Sequence, residues 1–86
     1  MELSHGADVF CLKFIPEYKL ASGGADKAIV LWDIRGGFKL QRLQAHHDIV
    51  LGLEYFKYLL SVSADKTLRL WDVEGKLIKS VKIHSE

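Results

Sequence analysis

The stretch ASGGADKAIVLWDI at residues 21–34 returns as LSVSADKTLRLWDV at residues 60–73. Ser22 and Ser61, Asp26 and Asp65, and Trp32 and Trp71 are each displaced by the same 39 residues, so the second stretch is a copy of the first. Upstream of each copy lies another matching pair, HGADVFCLKF at 5–14 and HHDIVLGLEY at 46–55, aligned on His5 with His46 and on Val9 with Val50. His84 follows His46 by 38 residues, close to the 41 that separate His5 from His46. Such a period is read first, because each repeat is one supersecondary unit that buries its apolar faces only against its neighbours.

Within one period the chain alternates strand-length apolar runs with turn residues. Strands are expected over 9–14, 19–23, 28–33 and 38–43, bounded by Pro16-Glu17, by Gly24-Ala25-Asp26 and by Gly36-Gly37. The second period reads the same way, with strands over 49–55, 58–62, 67–72 and 77–82. Its first connection shrinks to Phe56-Lys57, which predicts a two-residue turn there. Four strands in a period of about 40 residues match one blade of a β-propeller. The expected fold is all-β, with two four-stranded antiparallel blades.

Composition agrees with a folded chain. Of 86 residues, 49% are hydrophobic and 27% charged, which is enough apolar material to collapse and too little for two ordinary domains. Twelve Lys and Arg against eleven Asp and Glu leave a net charge of +1, which disfavours a direct nucleic-acid partner. No apolar stretch approaches the length that spans a bilayer, and the amino terminus lacks the pattern of an export signal, so no membrane partner is expected. The single cysteine, Cys11, lies inside the apolar run VFCLKF and reads as a small buried hydrophobe. An intracellular location follows, nuclear or cytoplasmic.

Each period carries a His before its first strand, a Ser in the second, an Asp at the second turn and a Trp in the third. A hydrolase needs an exposed Ser at a strained turn, whereas Ser22 and Ser61 sit within apolar strands and the whole set occurs twice. The expected role is therefore structural: Asp holds the imidazole, the imidazole reaches the Ser hydroxyl, and the Ser accepts the indole N–H. His46-His47-Asp48 leaves too few free ligands for a closed zinc site, and Gly23-Gly24 and Gly36-Gly37 lack the helix and the Lys-Ser or Lys-Thr pair of a phosphate loop. No cofactor, no metal and no catalytic residue are expected.

With the dipeptides Trp32-Asp33 and Trp71-Asp72, the sequence resembles the WD-repeat β-propeller family over nearly its whole length. The resemblance implies two structural tetrads, His5, Ser22, Asp26 and Trp32 in one and His46, Ser61, Asp65 and Trp71 in the other. The family's Gly before the His is replaced, in Ser4-His5, Ala45-His46 and Ile83-His84. Residues 1–86 read as a partial propeller, with repeat one at about 5–45, repeat two at about 46–83 and a third starting at His84. Propellers have about four to eight blades, so the pair belongs either to a longer chain or to a ring of identical chains. Its structural partners are accordingly further blades of the same propeller or copies of itself.

Propellers of this family mostly bind other proteins, and the resemblance implies a non-catalytic interaction scaffold. One rim is expected to display His47 and Ile49, the opposite rim Arg35 and Phe38, and these four are the candidate partner-binding residues. The runs VFCLKF, ASGGADKAIVLWDIRG, VLGLEY and SADKTLRLWDVE look like WD-repeat subunits of spliceosomal small nuclear ribonucleoproteins, which implies pre-mRNA splicing. Two alternatives stand beside it. Trp32-Asp33-Ile34-Arg35 matches the motif by which WD-repeat substrate receptors dock on cullin-type ubiquitin ligases, and the same consensus occurs in G-protein β-like signalling scaffolds.

Overall fold

Short runs of Val, Ile, Leu and aromatic residues, each closed by Gly, Pro, Asp or Ser, favour extended backbone. The computed structural model of the chain describes residues 4–72 and 74–83. His84 lies outside the described residues. Eight strands form: β1 (Val9–Ile15), β2 (Lys19–Gly24), β3 (Ala28–Asp33), β4 (Phe38–Gln44), β5 (Val50–Phe56), β6 (Tyr58–Ser63), β7 (Thr67–Trp71) and β8 (Leu77–Lys82). They pair antiparallel in chain order into two four-stranded sheets, β1 to β4 and β5 to β8. The fold is all-β, two blades of an incomplete propeller.

Geometry repeats as well as sequence. Register shifts fall between Val9 and Cys11 and again between Val50 and Gly52, and between Leu31 and Trp32 and again between Leu70 and Trp71. Such bulges bend and twist the strand that carries them. The second turn of each blade is also duplicated: Ala25 N–H donates to the Asp8 carbonyl at 2.9 Å, and Ala64 N–H to the Ile49 carbonyl at 3.1 Å.

The two-residue turn expected at Phe56-Lys57 does not form. Tyr55 pairs with Leu59 and Phe56 with Tyr58, leaving Lys57 alone at the tip with a left-handed φ of 66°. Register explains the difference. A two-residue turn would pair Leu53 with Leu60 and move Ser61 to the other face of the sheet, whereas the observed pairing sets Leu53 opposite Ser61. The matching loop of the first blade likewise closes with Ile15 opposite Lys19.

One core joins the blades. Ile15, Ala21, Ile29 and Leu31 of the first blade meet Val50, Leu53, Leu59 and Trp71 of the second, with Cys11 and Tyr55 packed against them. The approach is closest at Gly23, where an added Cβ would stand 2.6 Å from Val50 Cγ1. Along the edge, Lys13 Nζ meets Glu54 Oε1 at 3.0 Å. Leu53 is buried in this layer, and Val30 is buried too, whereas Leu12 and Phe14 are 59% and 72% exposed.

Candidate functional site

Each tetrad is built by four segments of its blade. The loop before the first strand brings the His, the second strand brings the Ser, and the third brings the Trp directly after its bulge, while the turn between them supplies the Asp. In the first blade Trp32 Nε1–H donates to Ser22 Oγ at 2.9 Å, the Ser22 hydroxyl donates to His5 Nδ1 at 2.7 Å, and His5 Nε2–H donates to Asp26 Oδ1 at 2.9 Å. In the second, Trp71 Nε1–H donates to Ser61 Oγ at 2.9 Å and the Ser61 hydroxyl to His46 Nε2 at 2.7 Å. His46 Nδ1–H then faces Thr67 Oγ1 at 2.9 Å and Asp65 Oδ2 at 3.2 Å. The imidazole is thus turned over between the copies, and in each chain the donors all point the same way.

Three further side chains, which sequence reasoning missed, complete these networks. Thr67 stands where the first repeat has Ala28, and its hydroxyl donates to Asp65 Oδ1 while its N–H donates to the same oxygen at 2.9 Å. Arg42 on β4 reaches Asp26 Oδ2 in the first blade, and Arg69 on β7 reaches the Ala45 carbonyl in the second. A polar residue at 67 in place of an apolar one at 28, next to a tetrad Asp, was the available signal. The arginines had none, since each occupies a position its counterpart repeat leaves uncharged.

Charge follows the bonding. Burial works to raise the pKa of Asp65, but the Thr67 hydroxyl, the His47 and Thr67 backbone N–H groups and the His46 ring outweigh it and hold the carboxyl far below the usual carboxylate range. Burial also opposes the charged form of Asp26, and hydrogen bonds from His5, Arg42 and Ala28 again prevail, so its pKa is lowered. Burial pushes the His46 imidazole below its ordinary value despite the attraction of Asp65. It pushes the Cys11 thiol up, partly offset by the Gly23 backbone.

Ser, His and Asp in line invite comparison with a hydrolytic triad, and burial separates the two. Ser61 is fully buried and Ser22 is 2% exposed, and each Oγ already receives an indole N–H. A nucleophile needs an open approach to its oxygen. Among the described residues no buried side-chain N or O lacks a partner, and no three His, Cys, Asp or Glu side chains are grouped to hold a metal ion.

The four rim candidates are not brought together. Arg35 is exposed and its guanidinium lies 4.2 Å from the centre of the Tyr18 ring, and Phe38 is 52% exposed with its ring folded over Gly36. On the opposite rim His47 is exposed, its N–H bonded to Asp65 Oδ2 at 2.8 Å, and Ile49 is half-buried. No helix among the described residues is long and apolar enough to cross a membrane.

Two antiparallel blades, each braced by a His-Ser-Asp-Trp chain, define a propeller module. The model of the WD domain, G-beta repeat, matches residues 2–33 and 37–72, and the chain belongs to that family. Solved structures of U3-55K and of the RRP9 WD40 repeats superpose with a TM-score of 0.87 each and are each 27% identical in sequence. Each alignment covers 99% of this chain but only 28% and 27% of those chains. Repeats of this family form scaffolds for protein interaction, generally without catalysis.

Proposed function

We propose that this chain is part of a WD-repeat propeller, with repeat one at about 5–45 and repeat two at about 46–83, and serves as a non-catalytic, intracellular scaffold of the spliceosomal small nuclear ribonucleoprotein class. The observation that carries the scaffold reading is the closure of both tetrads. Their eight side chains bond to one another inside the blades, so none of the eight is left free to react, and contact with partners falls to the rims. The finer class is supported by the runs VFCLKF, ASGGADKAIVLWDIRG, VLGLEY and SADKTLRLWDVE. The ubiquitin-ligase alternative rests on Arg35, which the Tyr18 ring already engages.

Affinity capture from nuclear extract tests the reading, using the tagged chain and its Arg35→Ala variant. Spliceosomal ribonucleoprotein components are expected with both. A cullin-ligase adaptor recovered with the parent chain and lost with Arg35→Ala would put the ligase reading in its place. Absence of ribonucleoprotein components from both captures would overturn the spliceosomal reading.

A further inference from the structure

The two tetrads use the same four residue types, yet their imidazoles face opposite ways, and the difference traces to where each carboxylate is held. In an imidazole Nδ1 lies beside the carbon that joins the ring to Cβ, and Nε2 lies on the far side. In the second blade the N–H of His47, the residue after the tetrad His, caps Asp65 Oδ2 at 2.8 Å. That draws the carboxylate toward the loop backbone, and the near nitrogen, Nδ1, meets it at 3.2 Å. In the first blade Asp26 Oδ2 is taken instead by Arg42, reaching in from the edge strand β4. The carboxylate is held away from the loop, and the far nitrogen, Nε2, meets it at 2.9 Å.

The sequence itself differs at the positions that matter. Arg42 pairs with Val30 across β3 and β4, and the matching pair of the second blade is Ser80 with Arg69. The arginine has changed strands. Both guanidiniums still bind the loop that carries the tetrad His, Arg42 through the His5 carbonyl at 3.4 Å and Arg69 through the Ala45 carbonyl. Only Arg42 also bonds its tetrad carboxylate, among the described residues. In the second blade the Thr67 hydroxyl donates to Asp65, where the first blade has Ala28.

Gly6 occupies the place of His47, each directly after its tetrad His. Its φ is left-handed at 96°, and the donors to Asp26 are His5, Ala28 and Arg42 rather than the Gly6 N–H. Glycine takes left- and right-handed backbone about equally readily. The loop before β1 is therefore free to adopt the second blade's arrangement once the carboxylate is released.

We infer that Arg42 is a positioning residue that selects the orientation of His5, and that the loop at 5–8 has a second state in which the Gly6 N–H caps Asp26 and the ring turns over to present Nδ1. In that state the proton of the neutral ring sits on Nδ1, reached by exchange with solvent, and the Ser22 hydroxyl donates to Nε2. Arg42 thereby couples the edge strand β4 to the loop on the rim of the same blade.

Nitrogen NMR of the full isotope-labelled chain reads the tautomer directly, because the protonated and bare nitrogens of a neutral imidazole differ in shift and in coupling to the ring protons. At about pH 8, above the ordinary imidazole range, the proton is expected on Nε2 of His5 and on Nδ1 of His46. Arg42→Ser, which installs the residue that faces Arg69, should move the His5 proton to Nδ1 and slow hydrogen exchange of the Gly6 amide. Gly6→Ala tests the loop without touching Arg42. The added Cβ meets nothing within 4 Å, so it acts by penalising the left-handed backbone, and it should move the same proton. A merely structural role for Arg42 would lower the unfolding midpoint and leave the tautomer in place. If circular dichroism shows Arg42→Ser unfolded, Gly6→Ala decides. The same tautomer on both rings of the parent chain, or a His5 proton that stays on Nε2 in either folded variant, would overturn the inference.

Discussion

Asp65 collects more of the second blade's turn than any other side chain. Its carboxylate accepts the His47 N–H at 2.8 Å, the Thr67 N–H at 2.9 Å and the Thr67 hydroxyl, and it faces His46 Nδ1 at 3.2 Å. Replacing it by Ala strips the acceptor from the part-buried Thr67 N–H and hydroxyl and leaves His46 Nδ1–H with Thr67 Oγ1 alone, and Asp65→Ala should cost about 1–3 kcal/mol. Chemical denaturation of the folded chain reads this, and a loss below about 0.3 kcal/mol, within the scatter of ordinary surface substitutions, would remove the tetrad as a stabilising unit. At this scale the sequence was informative where identity repeats. Both His-Ser-Asp-Trp sets stand out because four polar or aromatic residues recur in order in the two copies, whereas Arg42, Thr67 and Arg69 each occur in one copy only. The bond that Arg42 makes to Asp26 joins β4 to the turn before β3, and no local pattern announces it.

Strands were legible to within a residue or two at their ends, because β-branched and aromatic runs alternate with Gly, Pro and Asp. Loop length was not legible at Lys57. The expectation counted residues between apolar runs, but the turn is governed by which residues must share a face, and that is set by packing against the other blade. The cost of this solution falls on Lys57, which adopts a left-handed φ of 66° that side-chain-bearing residues adopt at about 1–2 kcal/mol. Lys57→Gly relieves the strain while adding entropy to the unfolded chain, so a net gain of about 0.5–1 kcal/mol is expected. The midpoint of denaturant unfolding checks it. A lower midpoint would show that the Lys57 side chain stabilises the loop by more than its backbone strains it.

For the molecule as a whole, the three groups whose pKa values are lowered, His46, Asp26 and Asp65, act in one direction. His46 binds its proton less readily when folded than at its ordinary 6.5, so the unfolded chain takes up that proton first. Stability from neutral His46 is complete above pH 6.5 and declines as pH falls below it. Asp26 and Asp65 are held below their ordinary 3.8, so what they contribute is present above pH 3.8 and is lost as pH falls through their folded values. Thermal unfolding followed from about pH 8 to about pH 3 should show a midpoint flat to pH 6.5, a first decline below it and a steeper one below 3.8. A midpoint that climbs on acidification from pH 6.5 would contradict the burial of His46 as a neutral ring.

The sequence by itself determined the two blades, their strand order and the members of both tetrads, because these depend on short-range alternation, turn chemistry and residues that recur at nearly constant spacing. Tertiary structure decided which tetrad is covered. The second lies under the first blade's Ala21, Ile29 and Leu31, and the first lies beneath an open cleft. It also decided that Lys13 meets Glu54 and that Gly23 admits Val50. Those outcomes follow from the face each strand presents once its register is set, and in this chain that register is settled by the contact between blades.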